Sequence, residues 1–331
     1  MMRHSYRQRY PHYRLWVVVF WIGMALIVGL LYFATVQIEY VWRWYRIPQY
    51  FFYKASVEVR ADGDGDVVEI SPDGEVIVEG PEGKETYRLG KKAKILVNEG
   101  DHVFAGDVLG RYTEWKIGIM LMGLIMTLKV SIVSIILGII IGLITGLARI
   151  SDNPACRWSA IVYIELIRGS PLLVQIFIWY FVLGTLINTL LARQGLAQLP
   201  PLYYGVAALA FFSGAYIAEI VRAGIQSIHR GQMEAARSLG MTYAQAMRYV
   251  ILPQAFRRIL PPLAGQFISL IKDSSLLGII AIRELTKATR EIVTSSLQPF
   301  ELWFLCAALY LVLTFGLSMV MQYLERRFIV T

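Results

Sequence analysis

Residues able to do enzymatic chemistry are few in this chain and are not grouped for it. Four histidines, His4, His12, His102 and His229, lie far apart, without the short spacings that let one element present two ligands to a metal. Two cysteines, Cys156 and Cys306, are too few for a disulfide framework and read as packing residues. No G-x-x-x-x-G-K-[ST] run is present to cradle nucleotide phosphates, and no H-E-x-x-H or G-x-S-x-G run to hold a zinc or a nucleophile. Asp62, Asp64 and Asp66 alternate as in a calcium loop, but Val67 and Asp73 stand where that loop needs glycine and glutamate. The sequence therefore assigns no catalytic residue and no metal ligand set, and a reaction would have to come from a partner.

The informative charges stand inside apolar stretches, where an ionisable group is costly and usually faces a protein interior or a water-filled path. Glu165 and Arg168 are an i, i+3 pair on one helix face in "YIELIRGSPLL". Gly169 and Pro171 follow, which predicts a helix break that leaves backbone groups free to line a cavity. Glu165 and Arg168 either form an internal salt bridge that fixes this break or face the translocation path of a charged substrate. Lys272 and Asp273 are adjacent, so they cannot share a helix face and need separate partners, in gating or inter-subunit contacts or by snorkelling. Lys129, Glu219 and Arg222 belong to the same set. The candidates for a substrate path are thus Glu165, Arg168, Gly169, Pro171, Glu219, Lys272 and Asp273.

A different pattern occupies residues 230 to 262, "RGQMEAARSLGMTYAQAMRYVILPQAFRRILPP". Gln232 to Leu239 has helical spacing of Met233, Ala236 and Leu239, and Ala235 with Ala236 offers a small surface to an approaching backbone. Gly240 supplies a left-handed cap, and Thr242 with Gln245 forms a capping-box pattern that starts a second helix. That helix carries Ala244, Met247 and Val250 on one stripe, and Pro253 limits or bends it. Such a hairpin, ringed by Glu234, Arg237 and Arg248, either lies on lipid headgroups or docks into a groove on a cytosolic partner.

The elements that must position these residues follow from composition. With 56% hydrophobic residues over 331 positions and a mean hydropathy of +0.52, the chain suits a polytopic membrane protein. A span needs about 20 mainly apolar residues to cross roughly 30 Å of hydrocarbon. Six candidates meet this: 15–36, 117–148, 161–191, 202–221, 259–282 and 302–324. Basic residues fall in four groups on one side: Arg3, Arg7, Arg9 and Arg14; Arg149 and Arg157; Arg230, Arg237, Arg248, Arg257 and Arg258; Arg326 and Arg327. Both termini are then cytoplasmic and residues 37–116 extracytoplasmic. Arg283, Lys287 and Arg290 are the exception, partly offset by Glu284 and Glu291. The net charge of +8 reflects this sidedness and not nucleic-acid binding. The first apolar run is too long for a signal peptide and lacks a small-residue cleavage site, so an uncleaved anchor is expected.

Between the first two spans the composition changes. "DVVEI", "EVIVEG" and "AKILVNEG" read as short strands separated by the turn signals "DGDGD", "PDG" and "PEG". "KILVNEGDHVFAGDVLGRY" resembles half of a biotinyl/lipoyl barrel-sandwich domain, with Gly100-Asp101 and Gly106-Asp107 at tight turns, but without the exposed carrier lysine of such domains. Lys116, beside Trp115, reads as an interfacial anchor. The expected fold is an all-α polytopic membrane protein of about six helices with a small extracytoplasmic all-β, barrel-sandwich-like insert. Its parts are residues 1–54 (basic terminus, first span and connector), 55–115 (β insert) and 116–331 (five-helix domain).

"EAARSLGMTYAQAMRYVILPQAF" resembles the EAA loop of ABC-importer permeases, with Glu234, Ala235, Ala236, Gly240, Leu252 and Pro253 at the family's spacing. "TLKVSIVSIILGIIIGLITGLARIS", "IELIRGSPLLVQIF", "GAYIAEIVRAGIQSIHRGQMEAA" and "QFISLIKDSSL" resemble the polar amino-acid uptake branch, the histidine, glutamine and arginine permeases. The resemblance implies a type I importer permease fold for residues 116–331. It implies that the loop at 225–258 inserts as a coupling helix into a cytosolic ABC ATPase dimer, where ATP and Mg are bound; no cofactor is expected in this chain. The other implied partners are a second permease subunit, identical or not, an extracytoplasmic amino-acid-binding protein and membrane lipid, with no nucleic acid. A secondary transporter, or the adaptor of an efflux system suggested by residues 1–115 alone, are the rival readings.

Overall fold

The computed structural model describes residues 12–81 and 83–329. His4, Arg3, Arg7 and Arg9 lie outside the described residues, as do the side chains of Arg326 and Arg327. The chain divides between Tyr45 and Arg46 into two compact units. The first holds α1 (Tyr13–Gln37), a 25-residue helix of hydropathy 2.5 with none of its apolar window buried in protein. A helix so apolar on every side suits lipid. Near its end Thr35 donates to the carbonyl of Tyr32 and accepts from the Trp42 indole.

The second unit begins with a short 3₁₀ turn, Trp44–Tyr50, that crosses the division, and continues into strands. They are β1 (Phe52–Arg60), β2 (Gly65–Ile70), β3 (Glu75–Gly80), β4 (Gly83–Arg88), β5 (Lys94–Ile95), β6 (His102–Val103) and β7 (Val108–Ile117). They form two antiparallel sheets, ordered β1-β7-β5 and β4-β3-β2-β6. Period-two alternation turns Val76 and Val78 of β3 inward, where they join Val67, Leu89, Val103 and Leu109 in one apolar core. The strands reach beyond 55–115 at both ends, because β1 and β7 pair from Phe52↔Ile117 onward. The aspartates expected at turns hold turns: Asp101 accepts from the Asn98 amide (2.7 Å), Asp107 from Phe104 (2.9 Å) and Asp64 from Ala105 (2.7 Å), while Asp66 faces His102 (2.6 Å).

β7 passes through Gly118 directly into the helices: α2 (Ile119–Arg149), α3 (Pro154–Arg168), α4 (Leu172–Phe177), α5 (Thr185–Arg193), α6 (Pro201–Gln226), α7 (Arg230–Ser238), α8 (Tyr243–Ala246), α9 (Leu252–Asp273), α10 (Leu285–Ser296) and α11 (Pro299–Ile329). Among the described residues six helices are long and apolar enough to cross a membrane: Tyr13–Gln37, Ile119–Arg149, Leu172–Arg193, Pro201–Gln226, Tyr243–Ile280 and Pro299–Tyr323. The third is shorter than expected, because α3 is a separate 15-residue helix ahead of the break at Gly169 to Pro171. The backbone there is not left open. The Gln175 amide, itself buried, donates to the carbonyls of Ile167 (2.7 Å) and Ser170 (3.1 Å) and to the Ser170 hydroxyl. Pro253 does not end the hairpin's second helix: a π-helical stretch, Met247–Ile251, precedes α9 and carries one helix from Tyr243 to Ile280.

α2 and α6 form the central pair. Gly138, Gly142 and Gly146 recur every four residues on α2, so the two backbones approach closely: a Cβ on Gly142 would lie 2.6 Å from the Ile217 Cβ. α10 closes against α2 through polar contacts. Glu284, fully buried, accepts from the amides of Thr286 and Lys287 (both 2.7 Å) and from the Tyr310 hydroxyl (3.1 Å), while Thr127 accepts from the Leu285 amide. Glu284 is therefore a helix cap and no surface counter-charge; Glu291 does pair with Arg283 (2.8 Å).

Candidate coupling hairpin and charged cavity

The hairpin forms from its own caps. α7 starts two residues ahead of Gln232, where His229 accepts from the Gly231 amide (3.1 Å). It ends at Gly240, whose φ of +83° is the left-handed conformation a side chain resists. Thr242 and Gln245 make the reciprocal capping box that starts α8. The apolar stripe splits between two faces. Ala236 is buried and Met233 and Met247 both pack on the core, since α7 rests on the π-helical stretch; Ala246, not Ala244, is the buried alanine of α8. Facing out are Glu234, Ala235, Leu239 (81% exposed) and Tyr243. Leu252 packs against the core and Pro253 is exposed. Arg248 lies over its neighbour Tyr249, 5.7 Å from the ring centroid.

Glu165 and Arg168 do not pair. The Glu165 carboxylate, two-thirds exposed, points to Arg149 at 3.8 Å, and the Arg168 guanidinium lies over the Tyr216 ring at 5.3 Å. Where α3 meets α6, the shorter bonds belong to Glu219. Its Oε1 meets Nε of Arg149 at 3.0 Å, and its Oε2 meets Nη2 of Arg222 at 2.8 Å. Arg222 reaches on to Gln226, and Arg258 donates to the carbonyl of Ser227, the residue that caps α6. Arg168, Tyr216, Glu219, Arg222, Arg258 and Gln266 line a cavity of about 540 Å³ between α3, α6 and α9.

Of the charges singled out in the sequence, Arg168, Glu219 and Arg222 meet at this cavity and Glu165 stands at the margin of its ion-pair network. Gly169 and Pro171 shape the adjacent break and are exposed. Lys272, exposed, and Asp273, half-buried, end α9 outside the lining, and neither has an ion pair among the described residues; Lys129 is exposed on α2. Sequence reasoning missed Arg149, Tyr216 and Arg258 as site residues. Arg149 and Glu219 are 70 positions apart, a separation at which no local spacing signals a pair.

Six apolar spans, a charged cavity between helices and a capped surface hairpin define a polytopic membrane transport component. Residues 134–330 match the family described as the inner membrane component of binding-protein-dependent transport systems, and the chain belongs to that family. It is 40% identical over 211 residues to the glutamine transport system permease protein GlnP of Escherichia coli K12, covering 64% of this chain and 93% of that one. It is 41% identical over 206 residues to the L-cystine transport system permease protein TcyB of Bacillus subtilis, covering 62% and 84% respectively. Its fold matches the crystal structure of an amino acid ABC transporter with histidines at a TM-score of 0.56 and 42% identity, covering 63% of this chain and 94% of that one. The family match begins inside α2, so the strands lie outside it.

Proposed function

We propose that this chain is the permease subunit of an ATP-driven importer of polar amino acids. It would form the translocation path and receive the force of ATP hydrolysis from a separate cytosolic ATPase dimer. The observation that carries the coupling role is the hairpin's outward face, where Ala235, Leu239 and Tyr243 stand exposed beside Glu234 around the left-handed turn at Gly240. An exposed leucine on a capped, rigidly seated hairpin suits insertion into a partner's groove. In this reading Glu234, Ala235 and Gly240 shape the docking surface. Ala236 and Leu252 seat it on the fifth span, within which Pro253 lies exposed, so that movement of the hairpin moves that span. ATP and Mg belong to the ATPase, and this chain carries no cofactor of its own.

The remaining assignments follow the same line. Both termini are cytoplasmic and the β sheets extracytoplasmic, on the side where an amino-acid-binding protein delivers its cargo; a second permease subunit completes the path. Lys272 and Asp273, a cation and an anion without ion pairs among the described residues, suit the two charges of an amino acid. Glu219, held by two arginines, ties α2 to α6. Relatives of similar identity are named for glutamine and for cystine, so only the substrate class carries over. For the β sheets of residues 55–115, with their partial likeness to biotinyl/lipoyl domains, we infer a docking element that positions the binding protein.

Cross-linking tests the hairpin's role. With the exposed Cys156 changed to serine, a cysteine replacing Leu239 should form a cross-link to the copurified ATPase under oxidising or bismaleimide treatment once the ATPase carries a cysteine in its groove. A cysteine replacing Leu297, equally exposed at 80% but beyond the fifth span, should not. Efficient cross-linking at Leu297 and none at Leu239 would refute both the docking site and the sidedness.

A further inference from the structure

We infer that the cavity between α3, α6 and α9 is a binding site for the phosphate group of an anionic membrane lipid from the cytoplasmic leaflet. The inference rests on the sidedness proposed above. α2 ends at Arg149 and α6 is capped by Ser227, both beside this cavity and immediately before basic loops, which sets it at headgroup depth. Four arginines gather there, Arg149, Arg168, Arg222 and Arg258, against two carboxylates, Glu165 and Glu219. Both oxygens of Glu219 face guanidiniums: Oε2 is hydrogen-bonded by Arg222, and Oε1 lies within ion-pair distance of Arg149 without a hydrogen bond. Arg168, which lies over the Tyr216 ring, and Arg258, which donates to the Ser227 carbonyl, make no ion pair among the described residues.

Each of these two guanidiniums belongs to an exposed residue and is open to an incoming anion. Its planar fork matches phosphate oxygens. Ile220 and Pro262 supply an apolar wall along which a glycerol and acyl chain can leave the phosphate. The transported amino acid fits less well: its ammonium would need a free carboxylate, and Glu219, the one carboxylate in the lining, already lies within ion-pair distance of two guanidiniums. Basic pockets between spans on the cytoplasmic side are a known form of anionic-lipid site.

The test uses the purified permease–ATPase complex, delipidated in neutral detergent and titrated separately with dioleoylphosphatidylglycerol, dioleoylphosphatidylcholine and inorganic phosphate. Native mass spectrometry counts bound lipid and the melting temperature reports stabilisation. Phosphatidylglycerol should bind saturably and raise the melting temperature, with phosphatidylcholine much weaker. Arg168→Gln should weaken phosphatidylglycerol by about tenfold, the order expected for a lost charge-assisted hydrogen bond, and Arg168→Lys by less. The lipid-free melting temperature of each variant separates misfolding from lost binding, and Arg258→Gln provides a second variant. Equal binding of phosphatidylcholine, or phosphatidylglycerol affinity unmoved in both variants, would overturn the site. An equal arginine-dependent shift with inorganic phosphate alone would overturn the lipid source. Competition by a transported amino acid would assign the cavity to the path and overturn the proposal, leaving the permease reading intact.

Discussion

Glu219 and Glu165 show how differently two carboxylates in one neighbourhood are employed. Glu219 is 17% exposed in its side chain and bridges two arginines, whereas Glu165 is 66% exposed and 3.8 Å from its nearest cation. Breaking a buried pair by removing one partner costs about 3–5 kcal/mol, while an exposed pair contributes about 0–1 kcal/mol. Glu219→Gln should therefore lower the melting temperature of the detergent-solubilised complex clearly, toward the lower end of the buried range because Arg222 is partly exposed. Glu165→Gln should leave it almost unchanged. If Glu165 faces the substrate path, its change instead appears as reduced uptake at normal assembly. Caps and turns were legible in the sequence at this scale, since Gly240, Thr242 and Gln245 act on neighbours a few positions away. The Arg149–Glu219 pair was not, and the i, i+3 spacing of Glu165 and Arg168 suggested a bond that longer-range partners displaced.

Among the elements, the α2–α6 contact is the one the helices depend on most. A single methyl group at Gly142 would lie 2.6 Å from Ile217 and 2.8 Å from the Gly214 carbonyl, so Gly142→Ala must push the helices apart. Overpacking of this kind costs about 1–3 kcal/mol, and thermal unfolding in detergent should register it. The β1–β7 pair offers a pH test. Glu58 on β1 meets Arg60 at 2.7 Å and Arg111 on β7 at 2.8 Å, and the hydrogen bond from Arg60 holds its carboxyl below the ordinary range. A depressed carboxylate pKa contributes stability that is present above the unfolded value, about 4.3, and lost as pH falls through the folded one. Glu58→Gln should thus flatten the loss of melting temperature between neutral pH and pH 3, and an unchanged slope would exclude this pair. Spans were readable from apolar length. The separation of α3 from the third span was not, because Gly169 and Pro171 mark a break but do not say that Gln175 closes it. Glu284 was likewise misread as a loop charge, since its burial depends on Tyr310, 26 residues away.

Across the whole molecule, charge is divided. Residues 52–117 hold 14 acidic and 9 basic side chains, a balance of −5 within a chain of net +8. The strands were visible as alternating runs, but their boundaries were not, because the β1–β7 pairing that extends them is non-local. β7 enters α2 without a linker, which gives the sheets a stiff attachment to the second span. Replacing residues 55–113 by a short Gly/Ser linker should raise the concentration of binding protein needed for half-maximal ATP hydrolysis while leaving basal hydrolysis alone. An unaltered titration would reduce the sheets to a spacer.

Coupling itself is tested most directly by ATP hydrolysis in proteoliposomes containing the complete complex, titrated with substrate-loaded binding protein, for the wild type and Gly240→Val. Beyond its own chain neighbours nothing lies within 4 Å of the position a Cβ would take at Gly240, so the substitution acts through backbone strain, about 1–2 kcal/mol for a left-handed residue. Wild-type hydrolysis should rise with binding protein and accompany uptake. The variant should assemble, with its melting temperature lowered no further than that strain accounts for, and lose most of that stimulation together with uptake. A variant that assembles and is stimulated like the wild type would contradict coupling through the hairpin, and uptake that persists without ATP under a held ion gradient would contradict an ATP-driven importer altogether.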